Sequence, residues 1–161
     1  MNQIAPDTYS RTQKMLHWGV VVLLAIQYLF FDHMGRLFHQ TMEGGSPVWT
    51  TTSVAHSMIG AAVLALTAWR LILRRSRGTP PPPADEPDLA TRAARVTHVA
   101  LYVLLIGLPV VGLGAWFLGI GFLAEVHEIG STVLLWVVGL HVGAVLVHQF
   151  WWNTAILRRM T

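Results

Sequence analysis

Four long apolar runs, separated by short polar segments, dominate the chain. They cover about Lys14 to Asp32, Ser53 to Leu73, Val96 to about Leu118, and His127 to Trp152. Each approaches or exceeds the ~20 residues a helix needs to cross ~30 Å of hydrocarbon. A helix buried in a soluble core can also be apolar all round, but four of them in 161 residues would leave no covering layer. The pattern predicts an all-α integral membrane four-helix bundle, forming one domain over residues 1–161. The first run follows Arg11 and Lys14, and Gln27 to Asp32 offers no small-residue cleavage site, so it is expected to stay as a signal anchor.

The segments between the runs carry the polar signals. Residues 74–95 hold four consecutive prolines, Pro80 to Pro83, which cannot donate backbone hydrogen bonds and favour an extended connector. The segment from His33 to Thr52 contains Gly44, Gly45 and Pro47, and its Leu37 and Phe38 suggest a short interfacial turn. The third connection is expected to be a short loop, roughly Gly119 to Val126. Pro109, with Gly107, Gly112 and Gly114, predicts a bend in the third span.

Composition agrees with a membrane chain. Hydrophobic residues make up 53% and charged residues only 12%, about half the ~25% of a globular surface-coated domain. The net charge of +3 and a pI near 10.0 could suggest nucleic acid, but the charges cluster outside the apolar runs. Ten of the eleven Lys and Arg residues (Arg11, Lys14, Arg70, Arg74, Arg75, Arg77, Arg92, Arg95, Arg158 and Arg159) fall on one side, with Arg36 alone on the other. The positive-inside rule then puts both termini in the cytoplasm. Trp18, Trp69, Trp151 and Trp152 fall at that same interface, as an aromatic belt would. The absence of cysteine excludes disulfides, thiolate metal sites, covalent c-type haem attachment and cysteine catalysis.

Eight histidines equal all Asp and Glu together. Ionisable groups inside membrane helices are expensive and point to function. His17 and His98 enter their spans from the basic side; His56 and His127 enter from the other. His141 and His148 follow on the fourth span, and His33 and His39 belong to the outer segment. His127 and His141 are 14 residues apart, which is ~21 Å along a helix with the rings within ~40° of one another. Two imidazoles thus leave one helix face at two depths. A b-type haem takes neutral imidazoles on both sides of its iron, supplied here by facing helices. His56 and His127 match in depth. For the inner level, depth leaves both His141 and His148 open as partners of His17, and His98 competes for either role. Gly60, Gly130, Gly139 and Gly143 lie beside these positions, where a flat macrocycle or a close helix–helix contact needs absent side chains.

With these residues in view, the chain resembles the bacterial cytochrome b561 family of dihaem membrane proteins. The resemblance rests on Tyr9-Ser10, Leu16-His17-Trp18, His56 with Gly60, and His98 with Tyr102, Leu108-Pro109 and Gly112. It continues through His127-Glu128, Gly139-Leu140-His141, His148 and Phe150-Trp151, covering about residues 9 to 160. It implies two haem b groups, with His17 and His141 as axial ligands on the cytoplasmic side and His56 and His127 on the outer side. It also implies that His98 and His148 lie where quinone is met, making ubiquinone the expected acceptor. Some similar proteins oxidise superoxide; the short third loop departs from their pattern. The expected function is therefore electron transfer across the bacterial inner membrane, between an outer donor and quinone. Arg70 and Arg74 would be cationic neighbours of the inner haem. The competing reading is a haem-carrying anchor subunit of a larger dehydrogenase or hydrogenase, with a redox partner protein. A histidine-rich metal transporter would need acidic or sulfur ligands beside the histidines, and every carboxylate lies in a loop or at a span end, none at mid-membrane.

Overall fold

A computed structural model describes residues 8–31, 34–44, 49–83, 86–152, 154 and 156–161. It contains α1 (Arg11–Phe30), α2 (Met34–Gly44), α3 (Thr51–Arg77), α4 (Asp88–Leu118), α5 (Gly121–Phe150) and a final 3-10 turn (Ile156–Arg159). Among the described residues there is no strand. Four of these helices are long and apolar enough to span a membrane. The expected end of the first span at Asp32, and His33 beyond it, lie outside the described residues.

Helix starts are set by polar caps rather than by where the apolar runs begin. At α1, the Ser10 hydroxyl accepts the Gln13 N–H at 3.3 Å while the Gln13 side chain accepts the Ser10 N–H at 3.0 Å. This reciprocal capping box satisfies two donors that have no partner within the helix. Thr50 and Ser53 repeat it at α3, with bonds of 2.9 and 3.2 Å. The α4 helix starts after Pro87, with Asp88 in its first turn, where a carboxylate favours the helix dipole. It begins eight residues before the expected span because Thr91, Arg92 and Arg95 extend it as a polar helical turn. It runs through Pro109 and stops at Gly119, whose φ of 64° is the left-handed cap conformation that glycine adopts without strain.

Two expectations need correction. The third connection is only Gly119 and Ile120, since α5 already starts at Gly121 rather than near His127. The segment expected to form a turn is instead an eleven-residue helix, α2. Its Met34, Leu37, Phe38 and Thr41 face inward at i, i+3, i+4, i+7, and Arg36, His39, Gln40 and Glu43 face out.

The α4 helix packs on α5, α1 on α3, and α3 on α4. Val20, Val63, Leu105, Leu108 and Leu134 form a buried apolar belt to which every spanning helix contributes. Large apolar side chains such as Leu29, Phe122, Trp136 and Phe150 point outward and are at least 70% exposed. Such a surface suits hydrocarbon rather than water. At one end, the tail returns to the start of α1: Lys14 Nζ donates to the Thr161 carbonyl at 2.6 Å and Trp18 Nε1 to that of Met160 at 3.0 Å. Arg159 also binds the carbonyl of Pro81 there. We call this the tail end. The opposite end carries α2, whose Met42 lies against Gly119.

Candidate functional site

At the α2 end, α3 presents His56 and α5 presents His127, with ring centroids 6.1 Å apart and planes at 70°. His127 Nδ1 lies 2.9 Å from the Leu108 carbonyl oxygen. A carbonyl can only accept, so Nδ1 carries the proton and Nε2 keeps its lone pair. Gly112 makes this approach possible. A Cβ there would sit 2.8 Å from the His127 ring. Helical side chains cover the turn N-terminal to themselves, so a glycine four residues after Leu108 leaves that carbonyl open. Across the site, Gln27 Nε2 donates to the His56 carbonyl at 3.1 Å. The carbonyl's own i+4 residue is again a glycine, Gly60, where a Cβ would stand 3.9 Å from that amide nitrogen. Tyr28 reaches α5 through a 2.6 Å bond to the Ser131 carbonyl.

A cavity of about 680 Å³ opens between these groups, lined by both histidines, Tyr28, Phe38, Gly60 and Trp116. That volume lies within the ~300–1,000 Å³ usual for small-molecule and cofactor sites. The ring spacing tests whether haem fits. With metal–nitrogen bonds of about 2 Å and ring centres about 1.1 Å further out, two imidazoles sharing one iron have centroids roughly 6.3 Å apart. The observed 6.1 Å meets that requirement, and the Nδ1–H bond of His127 is the partner a metal-ligating histidine ordinarily has. The residues present fit the group.

At the tail end, the His17 and His141 rings are 6.5 Å apart at 77°, which meets the same test. His98 stands closer to His141, at 5.4 Å, tighter than one iron between them would require. Arg70 is within electrostatic range of all three rings, and its guanidinium lies 5.9 Å over the Tyr102 ring. Arg74 is in range of His98. His148 has different neighbours. Its Nδ1 is 3.1 Å from Thr154 Oγ1, its Nε2 is 3.6 Å from Glu86 Oε1, and Trp152 meets its face edge-on at 4.6 Å.

The structure thus gathers His17, His98 and His141 at one end, and His56 with His127 at the other. His148 sits in a separate clasp that ties the proline-rich connector to the tail. The glycines divide similarly. Gly139 and Gly143 have open space where a Cβ would point, whereas Gly130 is occupied by Leu108, 2.6 Å from a would-be Cβ. Sequence reasoning missed Gln27 and the Leu108 carbonyl, and it read Gly112 as part of a bend and of the family resemblance, with no role beside His127. The available signal was the glycine one turn after each of the two opened carbonyls.

The profile of the prokaryotic cytochrome b561 family matches residues 8–161. The chain is 28% identical to cytochrome b562 of Cereibacter sphaeroides over 152 residues, covering 94% of both chains. It is 26% identical to cytochrome b561 homolog 1 of Escherichia coli K12, covering 96% of this chain and 97% of the other. A probable superoxide oxidase of Yersinia pestis is 24% identical, with 94% of each chain covered.

Proposed function

The chain belongs to the prokaryotic cytochrome b561 family, and from that premise we propose that it is a dihaem b-type cytochrome carrying electrons across the bacterial inner membrane to ubiquinone. The carrying observation is that α5 supplies one ring to each of two pairs, spaced 6.1 and 6.5 Å, at opposite ends of the bundle. Held there, haem b supplies one-electron redox chemistry.

The protein's own residues do the rest. His56 and His127 would hold one haem at the α2 end, and His17 and His141 would hold the other at the tail end. The Leu108 carbonyl holds the His127 tautomer. The belt of Val20, Val63, Leu105, Leu108 and Leu134 keeps the space between the two levels dry. Ten basic residues put the tail end in the cytoplasm, so the α2 end meets the outer donor. Superoxide is the donor that the Yersinia pestis relative supports. At the tail end, His98 hydrogen-bonds a quinone carbonyl and passes it a proton. His148, with Nδ1 on Thr154 Oγ1 and Nε2 3.6 Å from Glu86, is the second histidine assigned to the quinone at that end.

The test is a pyridine haemochrome assay on the purified chain, with no partner present. A ratio near two haems per chain, extractable into acidic acetone, is expected. A ratio near zero from haem-replete cells overturns the reading. Substituting His98 with Phe should then leave both haem spectra intact and slow reoxidation by a soluble quinone; unchanged reoxidation removes the assigned quinone site.

A further inference from the structure

Among the enclosed polar atoms without a partner at the α2 end are Gln27 Oε1 and His56 Nδ1. Both residues also line the neighbouring cavity. A buried acceptor and a buried ring nitrogen each lose their hydration on folding, and without a partner nothing offsets that loss. They belong to residues already joined, because Gln27 Nε2 donates to the backbone carbonyl of His56. A primary carboxamide presents a donor and an acceptor side by side. The same amide that grips the His56 carbonyl therefore has its oxygen available for the His56 ring.

We propose that Gln27 is the positioning residue for His56: while Nε2 holds the His56 carbonyl, a small turn of the ring brings His56 Nδ1–H onto Gln27 Oε1, a bond these two unpartnered atoms do not make in this structure. This rests on the reading of His56 as an axial ligand. The arrangement gives His56 what the Leu108 carbonyl gives His127: a fixed ring, the tautomer with Nε2 free, and a more basic ligand nitrogen. The two devices share a construction. In each, a side chain crosses from one helix to a carbonyl on another, and that carbonyl is uncovered by a glycine one turn later. His127 reaches over Gly112 and Gln27 reaches past Gly60. They differ in that His56 is the residue being gripped, so its partner can be altered without moving any backbone carbonyl.

The experiment compares the full-length haem-loaded protein with Gln27→Leu and Gln27→Glu, titrating each haem potentiometrically and recording low-spin EPR of the oxidised forms. Gln27→Leu removes the acceptor, so the outer haem should be easier to reduce and be held about 10- to 100-fold less tightly. Gln27→Glu offers a stronger acceptor, so the outer haem should be harder to reduce, with its largest g value displaced from the wild-type position. Neither substitution should move the tail-end haem. A purely structural role for Gln27 would shift both variants in the same direction or neither. Either of those results overturns the proposal, and so does a matched change in both haems. His56→Ala, prepared alongside, separates the two layers. If it keeps a full complement of haem, the ligand assignment fails and the role of Gln27 fails with it. If it loses one haem while the Gln27 variants titrate like wild type, only the positioning role fails.

Discussion

The two ends of the bundle solve one problem by different means. At the α2 end, neutral polar groups hold the two histidines: the His127 ring meets a backbone carbonyl, and a carboxamide grips the backbone of His56. Around them lies a defined cavity walled partly by α2. At the tail end, His141 stands between His17 and His98, edge to edge, with Arg70 in electrostatic range of all three. The first end is fixed by hydrogen bonds and close packing; the second is shaped by charge. The consequence is that steric substitutions should act at the α2 end and charge substitutions at the tail end, with little exchange between them.

The sharpest way to break the comparison is to remove one ring at a time. His127→Ala should lower the haem count from two to one and leave the tail-end spectrum intact, and His17→Ala should do the converse. Haemochrome ratios with low-temperature spectra of the reduced proteins would read both. Loss of both haems from either variant would mean that the ends do not assemble independently. His141→Ala should behave like His17→Ala, while His98→Ala should keep two haems. The reverse order for His17 and His98 would reassign the second ligand at the tail end.

The next effect in size is steric. Gly112→Ala would place a methyl group 2.8 Å from the His127 ring, which is pinned by its bond to Leu108 and cannot easily yield. Overpacking of this kind costs about 1–3 kcal/mol, so the outer haem should be held roughly 10- to 100-fold less tightly. Haem transfer to an apo-globin acceptor would measure it. Gly139→Ala, next to His141 but with open space around it, is the contrasting control. It should leave haem transfer from the α2 end unchanged.

Much of this organisation was legible in the chain. The second and third apolar runs sit within α3 and α4, the first and fourth overlap α1 and α5 but run past Phe30 and Phe150, and the 14-residue step from His127 to His141 does put one ring in each histidine cluster. Helix ends were less legible, because apolar runs mark the hydrocarbon and not the helix. Ser10 with Gln13, and Thr50 with Ser53, were visible cap signals that place the starts of α1 and α3. The α2 helix was hidden by its composition, since a face of Met34, Leu37, Phe38 and Thr41 is too short and too mixed to stand out as an apolar run. Depth arithmetic could not choose between His141 and His148 because one-dimensional spacing carries no information about neighbours. The structure turns His148 toward Thr154 and Glu86, and those contacts arise from the path of the connector and tail. Gln27 was illegible for a similar reason: its partner is 29 residues away on another helix.

Charge is the next lever. Replacing Arg70 with Gln removes a cation in range of His17, His98 and His141 while keeping a polar side chain. A nearby positive charge favours the reduced, less positive haem, so its loss should lower the tail-end midpoint potential. At an effective dielectric of about 20, the interaction is on the order of 1 kcal/mol. The outer haem should not move. An equal shift at both haems in the redox titration would show that Arg70 acts through the fold rather than through the local field.

The smallest effect is expected at the His148 clasp, which tests whether the tail end is a site or only an anchor. The Thr154 hydroxyl has one proton, and it is directed to the His148 carbonyl at 3.1 Å. His148 Nδ1 must therefore donate to that hydroxyl oxygen, and Nε2 is left facing Glu86 at 3.6 Å. Two lone pairs would repel, so this pair is attractive only while it holds one further proton, on the ring or on the carboxyl. Glu86→Gln supplies a permanent donor in place of that proton and removes the charge. The separation exceeds hydrogen-bond length and Gln keeps the shape of Glu, so thermal stability in detergent should change little. Both haems should remain bound. If the clasp is merely an anchor, reoxidation by a soluble quinone will run at the wild-type rate. If the shared proton serves the quinone, the variant will reoxidise more slowly at unchanged haem content. A Glu86→Gln variant that loses the tail-end haem would show instead that the connector and tail are part of that haem's wall, and would erase the contrast between a packed end and a charged one.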